Sequence, residues 1–113
     1  MLRLLNRKQI PDAIAILEEF SGSNKTIWAF KSFDDAGWEY VVKSYGVPIA
    51  KMRIDDVKED GIVVGWSRTL WITPERYSVT TSAHTTLARR AWRVPGKWSG
   101  EYTVYEPREV KQD

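Results

Sequence analysis

The chain has a single histidine, His84, and acid–base chemistry near neutral pH would have to be built around it. It stands in Tyr77-Ser78-Val79-Thr80-Thr81-Ser82-Ala83-His84, with Arg89 and Arg90 following. A nucleophile would have to come from the hydroxyls nearby. Ser82 is the nearest, but residues two apart on a helix do not face each other, and no nucleophile elbow is present. Helical phasing places His84 among Ala83, Leu87, Ala88, Ala91 and Trp92 on one apolar face. The expectation is therefore a structural histidine, bonded to a hydroxyl or backbone group of a sheet or helix cap. Burial and the helix N-terminus should both lower its pKa. No catalytic residue is assigned.

The opposite face carries Thr86, Arg89, Arg90 and Arg93, with Lys97 and Trp98 just beyond a Val94-Pro95-Gly96 break. Arginine beside tryptophan suits protein hot spots and phosphate contacts alike. Arg89, Arg90, Arg93, Lys97 and Trp98 are thus the expected partner-binding residues. A host protein is the first candidate partner and a nucleic acid the second. The net charge of +2, from 17 basic and 15 acidic residues, does not by itself impose nucleic-acid binding.

Other chemistries find no residues. With no cysteine, disulfides, thiolate metal sites and a thiol nucleophile are excluded. No metal site and no cofactor is expected. There is no GxGxxG and no Walker loop to cradle phosphates. Asp56-x-Lys58-x-Asp60-Gly61 resembles the start of a calcium loop, but Lys58 occupies a ligand position and Ser67 stands where the bidentate glutamate belongs. No apolar run approaches a membrane span, and Met1 to Ile10 lacks the apolar stretch of a secretion signal. A cytoplasmic protein with no membrane partner is expected, either monomer or homodimer.

The elements that must position these residues follow from hydrophobic period. Ile10, Ala13, Ile14 and Leu17 mark a helix over 10–20, with Pro11 in its first turn. A period of two then predicts strands over 26–33 and 38–45, with a two-residue turn at Gly46-Val47. Pro48 opens a third strand, and the acidic stretch 55–61 reads as the next turn. Segments 62–66 and 69–73 read as further strands, or as one strand broken near Ser67. A second helix is expected over 82–93, capped by Thr80, Thr81 or Ser82. Residues 101–105 read as an edge strand or a surface tail, and 107–113 as a charged, frayed end. The predicted fold is one α+β domain over 1–113, with an antiparallel meander of four to five strands packed by two helices.

Two segments together carry a resemblance. Val42-Lys43-Ser44-Tyr45-Gly46-Val47-Pro48-Ile49-Ala50 resembles a V-x-S-Y-x-x-P-I-A pattern. The segment from Tyr77 through His84 to Arg89-Arg90 resembles Y-S-x-T-T-S-x-H-x-x-x-x-R-R. Both are similar to a family of small uncharacterised proteins of phages and prophages. The resemblance covers roughly 40–92 and implies a compact α+β domain of phage origin in a bacterial host. It implies no reaction. The longer 55–73 region and the tail after Arg93 depart from the pattern. Tyr77, Thr80, Thr81, Ser82 and His84 are read as scaffold. The function expected is that of an accessory protein, not an enzyme, that occludes a host protein in takeover or counter-defence.

Overall fold

In a computed structural model, residues 3–22, 25–75, 77–95 and 98–107 are described. Leu2, Lys97 and the end of the chain from 108 lie outside them. The elements run β1 (Arg3–Leu5), α1 (Ile10–Ala15), β2 (Phe20–Gly22), β3 (Ile27–Phe33), β4 (Gly37–Ser44), β5 (Val47–Glu59), β6 (Ile62–Ile72), α2 (Val79–Ala91) and β7 (Gly100–Pro107). All seven strands form one sheet, in the order in which they occur along the chain. β1 pairs with β2 in parallel, across α1, and every later pair is antiparallel.

Among the described residues the fold is thus α+β, with two helices as expected, but the sheet has seven strands rather than four to five and is mixed. The extra strands at the start of the sheet, β1 and β2, hold three residues each, too few to display a period. α1 also stops at Ala15, short of the expected 20. Leu17 turns to φ 57°, and the Glu18 amide reaches back to the Ala13 carbonyl at 2.8 Å, closing the helix in the Schellman manner. The chain is then free to enter β2.

Two hairpin turns differ from expectation. The β4–β5 turn is Tyr45-Gly46, with φ of 51° and 80°, one residue before Gly46-Val47. Both residues are left-handed, which matches the twist of the strands. A bulge leaves Ile49 without a partner on β4, and Ile49 is fully buried. The acidic stretch is mostly strand: β5 continues to Glu59, and only Asp60-Gly61 turns. Of the acids in this stretch, Asp55 is paired, with Arg53 of the same strand. Its guanidinium pairs with both Asp55 and Asp34 at 2.8 Å. β6 is one unbroken strand, and β7 pairs with it as an edge strand.

Both helices lie on one face of the sheet. Ile10, Ala13, Ile14 and Ala88 meet Phe20, Ile27, Ala29, Tyr40, Val42, Ala50, Met52, Leu70 and Ile72 in a single core. Trp92 ties the two helices together. Its indole N–H donates to the Ile14 carbonyl at 3.0 Å, and its ring meets Tyr40 edge-on. Tyr40 in turn donates to the Glu18 carbonyl at 2.7 Å, so groups near the end of α1 find partners. No helix among the described residues is long and apolar enough to cross a membrane.

Candidate functional site: the histidine keystone and the uncovered half-face

α2 begins at Val79, three residues before the expected 82. Ser78 is the N-cap, in extended conformation, and its hydroxyl accepts from the Thr81 amide at 3.2 Å. Thr80, Thr81 and Ser82 all lie inside the helix, which corrects the expected cap. Ser78→Ala should cost about 1 kcal/mol, measured by thermal or urea unfolding. No loss would mean that the helix start is held by packing alone.

Thr81 is freed by this shift for another task. It is buried, and its hydroxyl accepts from both Ser78 Oγ at 3.3 Å and Ser44 Oγ at 3.2 Å. Ser44 Oγ also lies 2.7 Å from His84 Nδ1. Ser44 Oγ thus joins Thr81 and His84 in one buried hydroxyl–imidazole network. Tyr45 stacks on the imidazole at 6.3 Å between centroids, which helps hold that residue in its left-handed turn. His84 is 8% exposed, and its pKa lies below 6.5, first because of burial and then because of the Arg7 charge. The two segments that carry the sequence resemblance thus touch each other, Ser44 and Tyr45 from one against Thr81 and His84 from the other. His84 is bonded to a sheet hydroxyl, as its helical phase suggested. Tyr77 lies outside this network and is 41% exposed.

The arginine stripe does not remain one surface. Arg89 Nε donates to the Trp98 carbonyl at 2.9 Å, holding the segment after the helix. Trp98 is half-buried, packed against the core and edge-on to Tyr102. Arg89 borders a polar hollow with Glu75, Ser82 and Thr86 on one flank. Arg93 opens on the other flank, and Arg90 is exposed. Lys97 is outside the described residues.

Arg93 borders the feature that sequence reasoning missed. α2 crosses β4 and β5. Over β6 and β7 the same sheet face is largely open, with Trp66, Tyr102 and Val104 exposed by 37%, 47% and 43%. Tyr102 and Val104 stand opposite Leu70 and Arg68 in the register, so all four share that face. Exposed Ile16, from the end of α1, completes a groove of 380 Å³. Arg68 lies in its floor. It pairs with Glu106 at 3.5 Å while its Nε has no partner among the described residues. Glu106 also accepts from the Trp66 indole. Alternation in β7 predicts a strand with two faces, but period alone does not say which strands the helices leave bare.

Comparison with protein-family models, with curated proteins and with solved structures found no match.

Proposed function

We propose that this chain is a small phage-type accessory protein that binds a host protein in the bacterial cytoplasm and occludes it, without catalysis. One observation carries the reading: the uncovered half-face of β6 and β7, where Tyr102, Val104 and Ile16 lie exposed beside Arg68 and Arg93. Apolar surface with Arg93 at its edge, and with Arg68 paired to Glu106 in its floor, suits a partner with an apolar anchor and an acidic group beside it. Aromatic and arginine side chains also dominate the energy of such contacts. The expected stripe contributes through Arg93, with Arg90 nearby.

The nucleic-acid reading is weaker. Arg89 is engaged by a backbone carbonyl and Trp98 by the core. Of the expected stripe, Arg90 and Arg93 are the exposed cations among the described residues, and the two would neutralise about two phosphates, a salt slope near −2.

The test is affinity capture from bacterial lysate with and without nuclease, comparing the natural chain with Tyr102→Glu. The variant should keep its melting temperature. One host protein should be captured by the natural chain and lost from the variant, since an aromatic anchor is worth about 2 kcal/mol, roughly thirtyfold. Equal capture by both would move the docking surface elsewhere. Capture abolished by nuclease would favour the nucleic-acid reading.

A further inference from the structure

The sheet has two free edges, β1 and β7. β1 is three residues long, and so short an edge offers little to a visiting strand. β7 is eight residues long, Gly100 to Pro107, and among the described residues it pairs with β6 alone. Every second residue on it turns its N–H and C=O away from β6, toward the open side. Residues 101–105 are all exposed. Edge strands are usually guarded by lysine, by an internal proline or by a bulge. β7 has no lysine, its register with β6 is unbroken, and Pro107 is its last residue. Its centre, Tyr102-Thr103-Val104-Tyr105, is instead a run of strong strand formers.

The sequence of β7 also complements itself in reverse. With a second copy antiparallel and Val104 opposite Val104, Tyr102 stands opposite Glu106 and Thr103 opposite Tyr105. Opposite residues share a face, so this register keeps the helices of both copies on one side of a continuous sheet. Val104 meets an identical apolar side chain, and the Tyr102 hydroxyl can donate to the Glu106 carboxylate of the other copy. Within its own chain that carboxylate accepts from Trp66 and pairs with Arg68, and its two oxygens have room for another donor. A slip of one residue sets Glu101 against Glu106 and turns the second copy's helices to the other face. A slip of two sets Tyr102 against Val104 and Glu106 against Gly100, which loses the hydroxyl–carboxylate pair.

We propose that β7 is the docking edge for a second copy of this chain, paired antiparallel about a two-fold axis at Val104. The contact is isologous and closes at two chains. It also brings the two β6–β7 grooves side by side on one face of the joined sheet. The pairing stands on the edge itself, and whether the groove takes a host protein does not bear on it. Strand pairing over 101–107 is a small interface, so half-dissociation at about 10 μM is expected.

Sedimentation velocity on the natural chain should show the mass rising from 13.1 kDa to twice that value as concentration passes through this range. A single-chain mass at about 1 mM overturns the proposal, and so does growth beyond two chains. Val104→Lys and Val104→Glu each set like charges against each other at the axis, and each should sediment as one chain while still unfolding cooperatively. An equimolar mixture of the two should restore the dimer; a mixture that stays monomeric overturns the register. A second readout does not depend on those variants folding. The chain has no cysteine, so Val104→Cys reports alone. It should cross-link to itself under oxidised glutathione, whereas Thr103→Cys, diagonal to its copy at about 7–8 Å, should not. Cross-linking of Thr103→Cys in place of Val104→Cys overturns the axis.

Discussion

His84→Ala should lower the melting temperature by roughly 10 °C. The substitution removes the hydrogen bond between the imidazole and Ser44 Oγ, the ring on which Tyr45 stacks, and the packing of a nearly buried side chain. Lost packing and a broken buried hydrogen bond together cost about 2–3 kcal/mol. In a domain of this size each kcal/mol moves the midpoint by about 4 °C. Differential scanning calorimetry measures it directly. An unchanged midpoint would mean that the α2–sheet joint does not depend on the imidazole.

The same residue sets a pH dependence with a definite sign. The folded pKa lies below 6.5, so the unfolded chain binds the proton more readily. The stabilisation is complete above 6.5 and is lost as pH falls through the folded value. Natural protein should therefore lose stability between neutral pH and about pH 5, and His84→Ala should lose less over that range. Asp34 also has a lowered pKa, chiefly through its hydrogen bonds to Arg53, but its effect belongs below 3.8.

Gly65→Val should release the end of β7 and abolish partner capture. Gly65 is buried and stands opposite Pro107, where β7 ends its pairing with β6. A Cβ there would overlap the Glu106 carbonyl oxygen and stand 2.9 Å from Tyr105 Oη and 3.0 Å from Pro107 Cα. Two of these three atoms are backbone, so the strand itself must move. The Tyr105 hydrogen bond to the Val64 carbonyl would go, with the Trp66 and Arg68 contacts to Glu106. Amide exchange over 103–106 should accelerate by orders of magnitude while the α2 amides remain protected. Capture through the groove should vanish. Loss of α2 protection as well would show that β7 is needed by the whole fold.

The face that His84 occupies was legible because a helix repeats every 3.6 residues and its apolar neighbours are explicit. Its partner was not. Ser44 lies 40 residues away, and strand period gives a face without saying which residue of another element arrives opposite. The helix start was ambiguous because Ser78, Thr80, Thr81 and Ser82 are all acceptable caps. What decides it is that Thr81 is taken by Ser44 inside the core. The inner strands β3 to β6 were visible through alternation, whereas β1 and β2 exist through pairing and Phe20 rather than through pattern. Arg89 looked like free charge. Its bond to the Trp98 carbonyl depends on how the chain turns after α2, at Arg93 with φ 55°, and composition says nothing about that.

The sheet is ordered as the chain is ordered, and synthesis proceeds in that same order. Each strand can join its predecessor as it emerges, without waiting for a distant segment, which favours rapid assembly. α2 comes only after six of the seven strands. Until it arrives, Ser44 faces water, and Val42, Ala50 and Met52 lack the helix that covers them. A nascent chain ending before Val79 is thus a nearly finished sheet with much of its apolar face bare, the kind of species that chaperones hold and that aggregates when they do not. The seating of His84 against Ser44 is the step that ends this exposure.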